Sequence, residues 1–503
     1  MAWLTKSRFL SGLQCHKRLW FEVHRPLKES VEPDIPISHG RAFDEVVQRL
    51  KPGVVVSRKH GLPAAMTETK RVLAQSRAGA LLYQAAFRAG DLAVVADVLR
   101  RQGAEFELME VKASTEMKDS HLKDVAFQAL VLQRARIPLG RVFLGLVNNQ
   151  FVLERSGDYQ GLLAEVDVTE PVKGYLAEAA ARALEFQGVM AEKSVPSIAV
   201  GPHCLSPYEC PFLARCTVGH AAPQYPVDAL PRGGKIVAEL LGEGYRDLRD
   251  VPVERLTNEL HRRVFDATCS GLAFFDFAAS AGLRQLQAPF AYLDFETISF
   301  SVPEIIGTRP FEQLPFQWSV HIEDATGNVR HAEYLAIERF GDFEDLARVL
   351  VAALPTEGPI FGYNASFEEH ALLRLAQLAP SQAAGLRAIA VRLFDLLPVV
   401  REAYYHRDMR GSWSIKSVVP TIAPELGYEQ LDEVQEGGGA QLAFLALRSG
   451  TLTEEKAEKL RAALLRYCKH DTWAMVILRR FLCGQAVGVV PTNNSEGPPF
   501  QRP

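Results

Sequence analysis

Cysteine is scarce in this chain, with seven in 503 residues. So few thiols, without the close pairing of a small secreted domain, exclude a disulfide-stapled scaffold and point to metal or redox chemistry in a reducing compartment. Long apolar runs are missing too. No stretch approaches the roughly 18 uninterrupted apolar residues of a membrane span, so no membrane partner is expected. The N-terminal residues include Lys6, Arg8, Lys17 and Arg18 but no apolar run ending in small residues, and a cytoplasmic protein without a signal peptide is the expectation. No internal repeat is visible. What remains is ordinary globular composition, 48% hydrophobic and 23% charged, in a length that suggests roughly two to four domains.

The net charge of −4 hides an asymmetry. Residues 1–150 hold 23 Lys and Arg against 15 Asp and Glu, while the remainder holds 33 against 45. A basic N-terminal part suits a binder of phosphate backbones. The acidic remainder does not exclude nucleic acid, because carboxylates that hold catalytic metals are counted in it.

Composition divides the chain into 1–220, a helical linker region at 221–287, a strand-and-helix region at 288–485, and a tail at 486–503. The Pro- and Gly-rich stretch 219–234 marks the first break. The tail, rich in Pro, Asn, Ser and Gly, is expected to be disordered. In the first region Leu92–Leu99 and Phe106–Lys112 read as adjacent strands joined by a hairpin turn. A helix over Asp119–Arg134 and a strand over Arg141–Val147 follow. This is the order of a mixed sheet flanked by helices, an α/β fold.

Glu110 and Lys112 share one face of their strand, because the side-chain period of a strand is two. Asp97 on the neighbouring strand can converge on them. Two carboxylates and the Val111 carbonyl form a hard-oxygen set suited to Mg²⁺ or Mn²⁺, with the lysine beside attacking water. Alone, the Asp…Glu-x-Lys pattern is weak, and a surface ion pair is the commoner meaning. Four cysteines bracket it: Cys15, then Cys204, Cys210 and Cys216. Zinc favours shorter Cys-x₂₋₄-Cys pairs, whereas four thiolates suit a [4Fe–4S] cluster. Zinc or plain buried thiols are the alternatives. Cys269, Cys468 and Cys483 lack a partner pattern and are expected in the core.

Further on, Asp294 and Glu296 end a short apolar strand on one face. Glu368 lies at a strand-to-helix turn, and Tyr467 and Asp471 sit one turn apart on a late helix. Four converging acids repel unless cations bind, and two divalent ions about 4 Å apart would serve in-line phosphoryl hydrolysis. Asp395 is another candidate acid. Asn364 is read as positioning the turn or binding substrate, and Trp413 and Lys416 either as contacts to a nucleic-acid strand or as a turn and helix start with ordinary packing.

The N-terminal 220 residues resemble the RecB/Cas4-like branch of the PD-(D/E)XK nucleases. The resemblance rests on the run Thr5–Cys15, Asp97, Glu110-Val111-Lys112, Gln128 and the cysteine triplet. It implies catalytic roles for Asp97, Glu110 and Lys112, support from Gln128, and a [4Fe–4S] cluster on the four cysteines. Asp44 stands where relatives carry a metal-binding histidine, and Leu132 where they carry a tyrosine. The later region resembles the DEDD exonucleases of the RNase H-like fold, in the subclass with Tyr-x-x-x-Asp. This implies metal ligation by Asp294, Glu296, Glu368 and Asp471, with Tyr467 orienting the water. Glu368 replaces the usual aspartate. Over nearly its whole length the chain resembles the DUF2779 proteins, which join the two modules. The resulting expectation is a metal-dependent nuclease acting on DNA, in repair, recombination or defence. An RNA exonuclease and a non-catalytic nucleic-acid-binding scaffold are the alternatives.

Overall fold

The computed structural model describes residues 2–27, 35–218, 223–431, 434–435 and 437–485. It is a mixed α/β structure that divides into two compact units. The first comprises Met1–Ala221 with Ser299–Glu312, and the second Ala222–Ile298 with Gln313–Pro503. Residues 223–287 are thus gathered with the later sheet. The tail 486–503 lies outside the described residues. Among the described residues no helix is long and apolar enough to cross a membrane.

The first unit is built on a seven-stranded sheet. Its strands are β1 (Leu4–Thr5), β2 (Val54–Val55), β3 (Leu81–Ala89), β4 (Leu92–Gln102), β5 (Glu105–Lys112), β6 (Leu139–Val147) and β7 (Leu163–Asp167). The order is β2-β3-β4-β5-β6-β7, with β1 beside β4. Strands β3, β4 and β5 form an antiparallel meander. The expected turn between β4 and β5 is tighter than its sequence suggests: pairing continues to Gln102↔Glu105. Gly103 takes the positive φ such a tight reversal needs (61°). Strands β5 and β6 are parallel and therefore require a crossover, which the helix Asp119–Arg134 supplies. Its residues Asp124–Leu132 are all buried, so the segment is a core helix rather than a one-faced one.

Both sheet faces are covered. On one, Phe9, Leu19, Phe127, Leu144 and Phe186 form the larger core, with Phe9 and Phe127 stacked at 4.4 Å. On the other, Phe43, Tyr83, Val98, Met109 and Phe143 pack together, joined by Val302 from the inserted segment Ser299–Glu312.

The second unit contains a short ladder of β8 (Phe274–Phe275) with β14 (Tyr404–Tyr405) and a five-stranded sheet. The sheet strands are β9 (Phe290–Ile298), β10 (Leu314–Glu323), β11 (Val329–Leu335), β12 (Ile360–Gly362) and β13 (Leu393–Asp395), in the order β11-β10-β9-β12-β13. Three antiparallel strands are followed by two parallel ones, with β9 at the centre. The helix Glu454–Leu482 packs on β9 and β10. A buried network fixes its position. Arg479 Nη2 meets Glu323 Oε2 at 3.1 Å, Arg480 Nη2 meets Glu323 Oε1 at 2.9 Å, and the Tyr292 hydroxyl donates to Glu323 at 2.8 Å.

Candidate active sites

Asp97 lies one step beyond Val98↔Met109, where the β4–β5 ladder stops. The freed Val111 N–H donates instead to Asp97 Oδ2 (3.1 Å). Asp97 is thereby brought within electrostatic reach of Glu110. Glu110 is buried, and Lys112 from the same strand face donates to its Oε1 at 2.7 Å. Gln128, on the crossover helix, donates to Glu110 Oε2 at 2.7 Å and to Asp124 Oδ1 at 3.1 Å. Asp97, Glu110, Lys112 and Gln128 are thus brought together. Asp44, on the helix Ile35–Leu50, is half-buried within electrostatic reach of Glu110.

Sequence reasoning missed two members of this site. Lys6 donates to Glu110 Oε1 at 2.6 Å, and Asp124 accepts from Lys112 at 2.6 Å. Burial alone would raise Glu110, but the charges of Lys6 and Lys112 outweigh it and hold the carboxyl well below its ordinary range. Asp97 is pushed well up by burial and then by Glu110. Asp44 moves up to about 6, by burial first and Glu110 second. The buried Gln128 Oε1 has no hydrogen-bond partner. These hard-oxygen donors suit a divalent ion, although among the described residues the oxygens of Asp44, Asp97 and Glu110 do not close into one compact group.

In the second unit such a group does form. Ligand oxygens of Asp294, Glu296 and Asp471 all lie within 4.8 Å of one another. Asp294 and Glu296 alternate on central strand β9, and Asp471 comes from the helix held against it. Glu368, in the first turn of the helix Ser366–Leu378, is buried with Oε2 unpartnered. A side chain at Gly362 would come within 3.2 Å of that oxygen, so the glycine keeps its space open. Burial, and then the charge of Asp471, raise Asp294 well above the carboxylate range and move Glu296 up to about 8. Burial also moves Glu368 up to about 8. Buried acids that disfavour one another form a donor set that a divalent cation could hold together.

Tyr467 is held far above its usual range, by burial first and Asp471 second. Its hydroxyl is a hydrogen-bond donor. Two further residues complete the shell. Tyr428 donates to Asp471, and Cys468 Sγ lies 3.2 Å from Asp294 Oδ2. Cys468 lies three residues before Asp471 on the same helix, a spacing that could have exposed it; Tyr428 has no fixed spacing to betray it. A cleft of about 840 Å³ opens on the site, lined by Asp294, Asn364, Tyr467 and Asp471, with Arg232, Arg401 and Lys416 supplying positive charge.

The other residues singled out by sequence have defined places. Lys416 Nζ sits 4.9 Å over the Tyr467 ring and 5.3 Å over that of Tyr428. Trp413 is 6% exposed and spends its indole N–H on the Tyr404 carbonyl (2.9 Å), so it packs the wall and is not a free stacking surface. Asp395 caps the helix Leu396–Ala403 and accepts from the Asn364 N–H at 2.9 Å. This steadies the positive φ of Asn364 (67°) before Glu368.

The four cysteines line one pocket, with Phe21, Phe212 and Leu213 among its walls. Cys15 joins two N-terminal helices, while Cys204 and Cys210 are buried and linked through a backbone hydrogen bond of 2.7 Å. Gln14 Nε2 ties the N-terminal helix to the carbonyls of His203 (2.8 Å) and Tyr208 (2.6 Å). Of the remaining thiols, Cys468 is buried, Cys483 half-buried and Cys269 exposed. The core placement expected of Cys269 fails because it lies on the outer face of the amphipathic helix Glu259–Ser270.

Comparison with known proteins places the match on the second unit's sheet. A family described as a domain of unknown function, DUF2779, matches residues 291–414, which include Asp294, Glu296 and Glu368 but stop before Tyr467 and Asp471. An uncharacterized protein of Mycoplasma pneumoniae is 29% identical over 219 residues, covering 40% of this chain and 33% of the relative. An uncharacterized protein of Mycoplasma genitalium is 24% identical over 273 residues, covering 47% of this chain and 41% of the relative. The chain therefore spans less than half the length of these curated relatives.

Proposed function

We propose that this chain is a divalent-metal-dependent nuclease that hydrolyses phosphodiester bonds of DNA. In this reading the first unit is a RecB/Cas4-like PD-(D/E)XK module and the second a DEDDy-type RNase H-like exonuclease module. The observation that carries it is the convergence of Asp294 and Glu296 of the central strand β9 with Asp471, beside an unpartnered Glu368 oxygen and a positively lined cleft that Tyr467 also lines. Mg²⁺ or Mn²⁺, when bound by these carboxylates, supplies charge neutralisation and an activated water. The protein's part is to hold and orient. Tyr467 donates a hydrogen bond to the attacking water or a phosphate oxygen, Tyr428 and Cys468 fix Asp471 and Asp294, and Arg232, Arg401 and Lys416 attract the backbone.

In the first unit, Asp97, Glu110 and the Val111 carbonyl are the proposed metal ligands, with Asp44 beside them. Lys112 faces the water and Gln128 steadies Glu110. The four-cysteine pocket is proposed to hold a [4Fe–4S] cluster with a structural role. Cys15, Cys204, Cys210 and Cys216 line one pocket, which supports a group held by four thiolates.

The test is a Mg²⁺- or Mn²⁺-dependent degradation assay on end-labelled single-stranded DNA, duplex DNA and RNA, using protein purified without oxygen. Asp294→Asn is expected to lower cleavage at the second site at least about a hundredfold, the upper end of what even outer-shell losses do. Lys112→Ala reports on the first site in the same way. Cleavage unaffected by either change rejects the assignment, and preferential RNA shortening replaces DNA as the substrate.

A further inference from the structure

We infer that Lys6 is an exchangeable counter-ion of the first site, holding the Glu110 oxygen that a divalent ion must take and leaving it when that ion enters. This rests on the nuclease reading of the first site. Lys6 opens the helix Lys6–Gln14, and its ammonium lies 2.6 Å from Glu110 Oε1. Lys112 lies 2.7 Å from the same oxygen. A carboxylate oxygen offers two lone pairs, and here both are filled by cations. Oε2 receives the Gln128 amide at 2.7 Å. A hard cation at about 2.1 Å from Oε1 therefore needs one of the two lysines to withdraw.

The donors are unequally held. Lys112 has a second short partner, Asp124 Oδ2 at 2.6 Å, and Gln128 has Asp124 Oδ1 at 3.1 Å. Lys6 stands 3.9 Å from Asp124, beyond hydrogen-bond distance. Its side chain is 29% exposed whereas that of Glu110 is 1% exposed, so the ammonium can swing to water on a flexible four-carbon stem. Asp44, Asp97, Glu110 and Asp124 face two ammoniums, those of Lys6 and Lys112, and an entering divalent ion takes over the charge that Lys6 supplies. Lys6 is a positioning and charge-balancing residue here, acting on the site through Glu110.

The experiment uses the full chain carrying Asp294→Asn and Asp471→Asn, so that Mn²⁺ reports on the first site, without nucleic acid. Mn²⁺ affinity is measured by electron paramagnetic resonance of the free ion for this parent and for Lys6→Met, Lys6→Gln and Lys6→Arg. Both neutral variants are expected to bind Mn²⁺ about tenfold tighter, within the range by which outer-shell partners change metal affinity. Lys6→Arg, which keeps the charge, stays at the parent value. The metal-free neutral variants melt at lower temperature than the parent. Unchanged or weaker Mn²⁺ binding in Lys6→Gln overturns the inference even if Lys6→Met fails to fold. Glu110→Gln in the parent separates the two levels. If Mn²⁺ binding is indifferent to it, the metal-site reading itself falls and the inference with it. If binding is lost while Lys6→Gln has no tightening effect, only the inference falls.

Discussion

At the scale of single residues, the chemistry depends on side chains that touch the acids without being acids. Tyr428 gives its hydroxyl to Asp471 inside the second unit. Tyr428→Phe keeps the ring and removes that donor, and is expected to weaken Mn²⁺ binding at the second site by about tenfold. A titration on the full chain with Lys112→Ala and Glu110→Gln, which silence the first site, checks it. His321 provides a test in pH. Burial, and then His331 on β11 and Lys469 on the long helix, hold it well below its ordinary value, while its Nδ1 meets the Thr472 hydroxyl at 2.8 Å. A histidine with a depressed folded pKa binds fewer protons folded than unfolded. Its stabilising contribution is thus complete above about 6.5 and is lost as pH falls toward its folded value. Denaturant titrations of the chain and of His321→Gln are expected to diverge in slope by up to about 1.4 kcal/mol per pH unit below pH 6.5. Parallel slopes would reject the assignment.

Legibility also divides at this scale. Asp294 with Glu296, Glu110 with Lys112, and Tyr467 with Asp471 were readable because strand and helix periods fix which neighbours share a face. Lys6 reaches Glu110 across 104 residues of sequence and Tyr428 reaches Asp471 across 43. No local period encodes such a distance, so neither could be found without the fold. Trp413 stayed open between ordinary packing and strand contact, because sequence cannot tell an aromatic ring lining a wall from one offered to a ligand; its burial decides for packing.

At the scale of elements, the helix Glu454–Leu482 carries Tyr467 and Asp471, and its register is set far from them by Arg479 and Arg480 on Glu323. Glu323→Ala leaves Arg479 buried without its counter-charge. Breaking a buried pair from one side typically costs 3–5 kcal/mol, and a loss of about 3 kcal/mol is expected in urea unfolding of the second unit. Glu323→Gln, retaining the shape, should lose less. The crossover helix Asp119–Arg134 shows the complementary case. Its bounds match those read from the sequence, and in the structure Arg134 is followed by a turn at Ala135 and Arg136, the latter with positive φ (60°). The short strands β1, β2, β12 and β13 were not all legible, because two- and three-residue segments are too short to display alternation and exist only through their ladder partners.

At the scale of the whole molecule, the proposed cluster pocket gathers residues from both ends of the first unit's main segment. Cys204→Ser is expected to lose iron, and to lower the melting temperature of oxygen-free protein by several degrees, because the clip that closes a long loop is weakened. Iron content and calorimetry on the same sample check it. Equal stability with and without the thiolate would leave the cysteines as ordinary packing. Covalent order adds a separate point. The chain enters the second unit after Ala221, returns to the first for Ser299–Glu312, and then resumes the second at Gln313. No single scission can therefore release either unit whole. A gene fragment stopping at residue 221 would leave the Phe43 core without Val302, and cloning the units apart requires closing the excised hairpin with a designed turn.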